Sequence, residues 1–179
     1  MSNFDFVRPS TVALWTFDEE DGADSSPNNN DLTKGSPFYV LGKFNQAILL
    51  DGYEYLRAAS PFTSLSLSAL SILAWIKTTA SGEGILFSNI YDTEWTGYGF
   101  AFGYIGNRIY FLVGDGSGWL YEHVANDINV CDNKWHFVAI SRGSTYTRIY
   151  IDGMLDLQES NAPLGYTGRE IACMGALYS

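Results

Sequence analysis

The hydrophobic residues of this 179-residue chain alternate with a period of two along most of its length. Almost no segment shows the 3.6-residue period of a helix. Turn-forming pairs such as Gly106-Asn107 and Asp152-Gly153 separate the alternating runs. About a dozen short strands at a spacing of roughly 8–12 residues predict an antiparallel β-sandwich. Because no repeat or linker divides the chain, we predict one domain over residues 12–179, preceded by an extension over residues 1–11.

Several segments carry more specific predictions. Residues 12–17 are predicted to form the first strand. Residues 46–50 and 53–57 are predicted to pair as a hairpin across an Asp-Gly turn. Residues 71–78 are apolar on both faces, which is typical of a strand with one face in the core and the other under further cover.

Composition and charge exclude several classes of protein. Aromatic residues make up 16% and charged residues 17% of the chain, which argues against disorder. The formal net charge is −10, with 20 acidic and 10 scattered basic residues. Without a basic cluster, neither nucleic-acid binding nor binding to an anionic membrane is expected. No apolar stretch is long enough for membrane insertion.

Targeting and redox state stay open at this point. The N-terminus lacks the basic and apolar regions of a signal peptide, although an extracellular or virion-associated location is favoured. Cys131 and Cys173 are the only cysteines. Buried free thiols are the preferred interpretation, and a disulfide is the alternative.

Four segments in order carry a family resemblance: VALWTFDEEDGADSSPNNNDL (12–32), GKFNQAILLDGYEYL (42–56), LSILAWIKT (70–78) and NKWHFVAISR with RIYIDGML (133–155). Together they resemble the laminin G-like branch of the concanavalin A-like lectin/glucanase superfamily. The resemblance covers roughly residues 12–175 and implies an all-β jelly-roll sandwich of two antiparallel sheets. Within it we expect six aromatic residues in the core: Trp15, Phe17, Trp75, Trp135, Phe137 and Tyr150. His136 is expected to be structural or a surface donor.

The resemblance also implies a departure at the C-terminus. Such domains usually close with a strand that follows a segment like residues 171–176 and pairs with the first strand. That closing C-terminal strand is expected to be absent from this chain. The chain would then be part of a longer protein, or a neighbouring chain would supply the strand.

No arrangement of residues predicts catalysis. The related glucanases carry three carboxylates in a Glu-x-Asp-x-x-Glu spacing along one strand, and glycoside hydrolysis needs two facing carboxyl groups. The acids of residues 18–21 are consecutive, and Asp92 with Glu94 lacks a third partner. Nucleophile, phosphate-loop and Cys/His metal motifs are missing from the sequence. We therefore predict that the protein is not an enzyme and has no catalytic residues.

Aromatic residues in two glycine-rich segments are the predicted ligand-binding residues. The first segment, residues 89–100, contributes Tyr91, Asp92, Trp95 and Tyr98; the second, residues 114–123, contributes Trp119 and Tyr121. Aromatic rings and nearby polar groups suit a sugar, and binding sites concentrate on loops. The alternative is that these rings cap the ends of the sandwich.

A calcium ion is the candidate cofactor, and otherwise none is expected. The loop over residues 18–31 is rich in carboxylates and amides and contains no lysine or arginine, which suits a hard cation. The family resemblance implies a structural calcium near this loop, with Asp24 and Asp51 as the predicted ligands. A solvated acidic loop is the alternative.

These features lead to two functional hypotheses. The first is a non-catalytic, lectin-like recognition module whose partner is a carbohydrate or glycoprotein. The second is a structural or assembly subunit of a larger particle, such as a viral tail, fibre or capsid-decorating protein, forming a homo-oligomer or borrowing an edge strand. An accessory domain of a secreted glycosidase or surface protein is a third possibility. Fold alone does not decide among them.

Overall fold

The computed structural model describes residues 10–52, 54–62, 69–80, 82–89, 98–115, 119–161 and 172–175; Lys34, Tyr98, Asp115 and residues 119–122 are described by their backbone alone. Thirteen β-strands and no helix occur in this part of the chain, which therefore has no helix able to cross a membrane. The strands are β1 (Leu32–Lys34), β2 (Phe38–Leu41), β3 (Gln46–Leu49), β4 (Leu56–Ala58), β5 (Leu70–Ile76), β6 (Glu83–Ser88), β7 (Tyr98–Ile105), β8 (Arg108–Asp115), β9 (Trp119–Val124), β10 (His136–Arg142), β11 (Tyr146–Ile151), β12 (Met154–Ser160) and β13 (Cys173–Met174).

The strands form two main sheets and one separate hairpin. The larger sheet has the order β1-β4-β13-β6-β7-β8-β9, and the smaller sheet has the order β12-β11-β10-β5. β2 and β3 pair only with each other among the described strands. All of these pairings are antiparallel. The predicted two-sheet antiparallel sandwich is confirmed.

The core consists of inward side chains from both sheets. The larger sheet contributes Phe100, Phe102, Ile109, Phe111 and Val113, and the smaller sheet contributes Val138, Ile140, Ile149, Ile151 and Leu157. These residues belong to one continuous cluster and recur at every second position, because successive side chains of a strand point to opposite faces. Burial of this apolar surface is the main force that holds the two layers together.

The hairpin predicted between residues 46–50 and 53–57 is wrong. β3 pairs instead with β2, whereas β4 pairs with β1 and β13. In the turn between β2 and β3, the Gly42 N–H donates to the Asn45 carbonyl at 2.8 Å, and Asn45 has a φ of 40°. Asparagine tolerates this left-handed conformation, so the turn forms one segment earlier than the Asp-Gly signal suggested.

The predicted first strand is also wrong, because residues 12–17 form no strand. Polar side chains of the following loop bind this backbone in place of a neighbouring strand. The Leu14 N–H donates to Asp24 Oδ1 at 2.8 Å, and the Leu14 carbonyl accepts from the Ser25 N–H at 2.8 Å. The segment is therefore held in place by the loop that follows it.

The aromatic residues predicted for the core divide between the two faces. Trp15 and Phe17 pack against the core, as expected. Trp75, however, is 39% exposed, so its assignment to the core is wrong. Phe137 and Tyr150 share its face and are half-buried. The register sends the intervening residues of these strands inward and leaves the aromatic residues outward.

Polar contacts join the two sheets along one edge. His123 on β9 is fully buried, and its Nδ1 lies 2.8 Å from Glu159 Oε2 on β12. Beyond β9, the Asn126 N–H donates to Asp156 Oδ2 on β12 at 2.5 Å. These contacts tie the edge strands of the larger and smaller sheets to each other.

The short strand β13 lies between β4 and β6 and places Cys173 in the core. Cys173 and Cys131 are both free thiols, as predicted, but only Cys173 is buried, since Cys131 is partly exposed. Burial raises the pKa of the Cys173 thiol to about 11, so the thiol is unreactive at neutral pH. Residues 176–179 lie outside the described residues, and the absence of a further closing strand stays a prediction.

The opposite faces of the smaller sheet give a stability test. We expect Ile149→Ala to lower the free energy of unfolding by about 2–5 kcal/mol, since a fully buried side chain is removed from the core. Leu73→Ala is the matched control and is expected to cost less than about 1 kcal/mol, because Leu73 is 61% exposed. Urea unfolding measures both. If both variants lose the same free energy of unfolding, the assignment of Ile149 to the inner face and Leu73 to the outer face is wrong.

Candidate functional site

The outward side chains of the smaller sheet form an apolar surface, which we call the outer-face platform. Its members are Leu73 and Trp75 on β5, Phe137 and Ala139 on β10, Tyr150 on β11 and Leu155 on β12. The register brings them together: Trp75 lies opposite Phe137, and Tyr150 lies opposite Leu155. Leu73 is 61% and Leu155 is 53% exposed. Ala139 is buried and Phe137 and Tyr150 are half-buried, so the exposed apolar groups at Leu73, Trp75 and Leu155 make this face a candidate interaction site.

Aromatic contacts hold Trp75 at one end of the platform. Its ring centroid lies 5.3 Å from that of Phe137 and 5.9 Å from that of Phe44, which approaches edge-on from the β2–β3 turn. Lys43 in the same turn places its Nζ 4.8 Å from the Trp75 ring centroid, within the range of a cation–π interaction. The β2–β3 turn therefore completes the aromatic end of the platform.

Polar side chains occupy the neighbouring part of the same face. The next row across the sheet consists of Ser71, Ser141, Arg148 and Gln158. Arg148 Nε donates to Gln158 Oε1 at 2.7 Å, and the guanidinium carbon of Arg148 lies 5.5 Å from the Tyr146 ring centroid. Apolar rings beside a few hydrogen-bonding groups are the usual composition of a small-molecule site.

A network of charged groups fixes the start of β10. His136 Nδ1 lies 2.8 Å from Asp152 Oδ2, and its Nε2 lies 3.0 Å from Asp132 Oδ1. Asp152 also accepts the Phe137 N–H at 2.9 Å, and Lys134 Nζ lies 2.7 Å from Asp132. Because both ring nitrogens of His136 are engaged by carboxylates, its contacts are structural and position the backbone of Phe137.

The same network shifts the ionisation of its members. Burial alone lowers the pKa of His136, but the hydrogen bonds and charges of Asp152 and Asp132 outweigh burial and raise it. Hydrogen bonds from Lys134 and His136 hold the pKa of Asp132 below its usual range. Burial raises the pKa of Asp152, yet the His136 contact and the Phe137 N–H lower it overall. His136 and the two aspartates therefore stabilise one another in their charged forms.

This network predicts a pH-dependent contribution to stability. The pKa of His136 is higher in the folded than in the unfolded state, so its stabilisation is complete below the unfolded value of about 6.5. The stabilisation is lost as the pH rises through the folded-state pKa. We expect the difference in free energy of unfolding between the native chain and His136→Gln to be larger at pH 5.5 than at pH 9. A difference that grows with pH would contradict this network.

The six predicted ligand-binding residues are only partly within the described structure. Tyr91, Asp92 and Trp95 lie outside the described residues. Tyr98 begins β7, and Trp119 and Tyr121 lie on β9, where Tyr121 pairs with Val113. β7 and β9 flank β8 in the larger sheet. The contribution of these six residues to binding stays a prediction.

Asp24 is a buried acceptor that organises the first loop. Its Oδ1 accepts from the N–H groups of Leu14 and Ser26, both at 2.8 Å, and its Oδ2 accepts from the Ser26 hydroxyl at 2.7 Å and the Asn30 N–H at 2.9 Å. Burial raises the pKa of Asp24, but these hydrogen bonds lower it overall. The carboxylate therefore links the loop to the segment that precedes it.

Both oxygens of Asp24 already accept N–H or O–H groups, which a calcium ion would have to displace. Asp51, the other predicted ligand, is exposed, and its N–H donates to Glu54 Oε2 at 3.0 Å. Within the described ranges, no group of three or more His, Cys, Asp or Glu residues is arranged to hold a metal. Calcium binding at Asp24 and Asp51 stays a prediction.

A polar cleft of about 150 Å³ lies beside this loop. It is lined by Asn29, Asn30, Asp31, Thr33, Ala58, Ala59, Ser60 and Phe62. Phe62 is buried and stacks on Trp15 with a centroid distance of 5.8 Å, so it presents no free ring face to the cleft. Of the two surfaces, the platform offers the better combination of exposed rings and polar groups.

The platform is not among the sites predicted from the sequence, although one signal in the sequence points to it. In residues 71–78, Leu73 and Trp75 are in phase with Lys77, and all three are exposed. A lysine in phase with apolar residues marks the solvent-facing side of a strand. The contribution of Phe44 could not be found in this way, because it depends on the β2–β3 turn.

Removal of the Asp24 carboxylate tests its structural role. We expect Asp24→Ala to lower the free energy of unfolding by about 2–4 kcal/mol, since buried donors lose a charged acceptor. The pKa of Asp24 is lower in the folded than in the unfolded chain. Its contribution to stability is therefore present above about pH 4 and is lost as the pH falls further. Asp21→Ala, at an exposed carboxylate of the same loop, is the matched control. If both variants lose a similar, small amount of free energy of unfolding, the structural role assigned to Asp24 is wrong.

The same unfolding measurement tests the calcium prediction. A midpoint that rises with added calcium and falls with chelator, in the native chain but not in Asp51→Asn, would support an ion at this loop. A midpoint that is unchanged by calcium in both chains would contradict it.

Comparison with known proteins gives one family. A laminin G-type family model, described as the concanavalin A-like lectin/glucanases superfamily, matches residues 50–175. No curated protein matches the chain. The matched range includes β4 to β13 and therefore all four strands of the outer-face platform.

Three solved structures illustrate the fold. Domain 4 of AbnA, a GH43 extracellular arabinanase from Geobacillus stearothermophilus solved in complex with arabinotriose, has a TM-score of 0.70 at 19% identity over 94% of this chain and 84% of that chain. The receptor-binding domain of botulinum neurotoxin C/D mosaic serotype has a TM-score of 0.66 at 15% identity over 86% of this chain. Mouse laminin α1 domains LG4-5 have a TM-score of 0.58 at 20% identity over 82%.

At these identities the likeness concerns the fold, and it confirms the predicted concanavalin A-like jelly roll. The chain spans most of the arabinanase domain but 40% of the toxin chain and 38% of the laminin chain.

Proposed function

Because the chain belongs to the laminin G-like branch of the concanavalin A-like lectin/glucanases superfamily, we propose that it is a non-catalytic recognition module that binds a carbohydrate or a glycosylated surface. The platform on the smaller sheet is the proposed primary site. The arabinanase domain of the same fold was solved with arabinotriose, which supports a saccharide as the class of ligand. Fold alone does not fix a function, so the proposal depends on the chemistry of the platform.

The observation that carries the proposal is the exposure of Trp75 among other rings. At 39% exposure Trp75 is held by Phe44 and Phe137, so its orientation is fixed before a ligand arrives. A pre-organised aromatic surface loses little conformational freedom on binding. Sugar rings have apolar faces and polar edges, and the adjoining serine, arginine and glutamine side chains can bond their hydroxyl groups.

The carboxylates beside the platform support binding without catalysis. Asp152 is engaged by His136 and by the Phe137 N–H, and Asp156 accepts the Asn126 N–H. Glycoside hydrolysis needs one carboxyl group to donate a proton and a second to act as base or nucleophile. Carboxylates already committed to structural hydrogen bonds are poorly placed for either role.

The loop aromatic residues form a second proposed site. Tyr91, Asp92, Trp95 and Tyr98 precede or begin β7, and Trp119 and Tyr121 lie on β9. Such a site would belong to the larger sheet, whereas the platform belongs to the smaller sheet. Binding measurements on variants of the two groups separate these alternatives.

A glycan array followed by calorimetry on the strongest ligand, with arabinotriose as one probe, tests the proposal. We expect Trp75→Ala to weaken binding by about 10- to 30-fold, because truncation of an aromatic hot spot costs roughly 1.4–2 kcal/mol. Trp95→Ala and Trp119→Ala are the matched variants of the loop site. An unchanged thermal midpoint shows that each variant is folded.

Two outcomes would contradict this assignment. If Trp95→Ala or Trp119→Ala weakens binding and Trp75→Ala does not, the loops and not the platform form the site. If no saccharide on the array binds the folded chain, the recognition function itself is wrong.

A structural or assembly role is the alternative proposal, and exposed apolar residues favour it. Leu41 is 86% exposed, and Phe38 and Met154 are each 62% exposed. Exposed apolar surface of this extent is also found where subunits meet. Light scattering across a concentration series decides: a discrete oligomer supports assembly, and a stable monomer at high concentration contradicts it.

A further inference from the structure

We propose that the saccharide recognised by the outer-face platform is anionic, and that Lys43 and Arg148 bind its carboxylate or sulfate groups. This inference rests on the proposed function and adds the charge of the ligand to it. It is carried by the placement of two cationic side chains on the exposed aromatic residues of one sheet face.

The two cations are placed in the same way. Lys43 Nζ lies 4.8 Å from the centroid of the Trp75 ring, and the guanidinium carbon of Arg148 lies 5.5 Å from the centroid of the Tyr146 ring. Both aromatic residues are partly exposed, with Trp75 at 39% and Tyr146 at 38%. A cation held against a ring keeps its charge at the surface with fewer conformations to lose on binding.

Neither cation is neutralised within the described part of the chain. Arg148 uses Nε for the neutral Gln158 side chain, and the structure shows no ion pair with a carboxylate for Lys43 or Arg148 there. Lys134 provides the contrast, because it is paired with Asp132 at 2.7 Å. The ammonium group of Lys43 and the terminal nitrogens of Arg148 therefore keep their capacity to bind an anion.

The carboxylates nearest in register to the platform are directed to other partners. Asp152 lies against His136, Glu159 lies against His123, and Asp156 accepts a backbone N–H. In the described part of the chain, Lys43 and Arg148 therefore keep their positive charge without a carboxylate partner, although the chain carries a formal net charge of −10. A neutral sugar can use these two groups only as hydrogen-bond donors, whereas an anionic sugar also gains from their charge and needs local cations to offset the net negative charge of the chain.

The separation of the two cations suits an oligosaccharide. Trp75 pairs with Phe137, and Arg148 pairs with Ser141. Ser141 lies four positions after Phe137 on β10. With about 4.8 Å between strands and about 3.3 Å per residue, the Cα atoms of Trp75 and Arg148 are roughly 16 Å apart. One extended chain of several sugar units can contact both ends of the platform.

Calorimetry with matched charged and neutral ligands tests the proposal. The probes are a galacturonate oligosaccharide and its methyl-esterified form, and a chondroitin sulfate oligosaccharide and its desulfated, carboxyl-reduced form. We expect the native chain to bind at least one charged probe about tenfold or more tightly than its neutral counterpart. The preference should decrease between 50 and 200 mM salt, since added ions screen exposed charges.

Single-charge variants identify the cations responsible. We expect Lys43→Gln and Arg148→Gln each to weaken binding of the charged probe by roughly two- to five-fold, as for an exposed ion pair, and to weaken binding of the neutral probe by less. Arg108→Gln removes an exposed positive charge from the larger sheet and should not change either affinity. Lys43→Arg should keep the preference for the charged probe.

The outcomes separate this inference from the function on which it rests. If charged and neutral forms bind equally, or if Arg108→Gln weakens binding as much as the platform variants, the anionic preference is overturned while saccharide binding stands. If no probe and no saccharide on the array binds, both proposals are overturned.

Discussion

Ile140, Ile149 and Leu157 of the smaller sheet belong to the same buried cluster as Phe100 and Phe111 of the larger sheet. The side-chain period of a strand is two, so directing these residues inward forces their neighbours outward. The outward row of Leu73, Ala139, Tyr150 and Leu155 is therefore a direct consequence of core packing, and sheet register sets its geometry. A surface built in this way takes its geometry from the core beneath it.

Residues outside the smaller sheet complete and support this surface. The β2–β3 turn brings Phe44 and Lys43 to Trp75, and the His136–Asp152 contact holds the backbone next to Phe137. The first is a contact with an aromatic ring, and the second is a hydrogen-bond network between charged groups. Together they fix the aromatic end of the platform, while Arg148 at the other end is held by a neutral partner.

Period-two patterning was sufficient to predict the sandwich, because both sheets draw their core from every second residue. It did not predict strand partners: the Asp-Gly signal after β3 suggested a local hairpin, but Asn45 at a positive φ formed the turn one segment earlier. The structural role of Asp24 could not be predicted either. Its carboxylate is buried and accepts four hydrogen bonds, but in the sequence it looks the same as a solvent-exposed aspartate. The sequence pattern places Trp75 in the core, because hydrophobicity does not reveal which of two apolar faces is covered.

Nuclear magnetic resonance of the tryptophan side chains, during titration with the strongest saccharide, tests the central claim most directly. The chain has five tryptophans and therefore gives five indole N–H signals, one of which reports on the platform. The account predicts that the Trp75 signal moves furthest and saturates with the ligand. Movement of the Trp95 or Trp119 signal with an unchanged Trp75 signal would contradict binding at the smaller sheet.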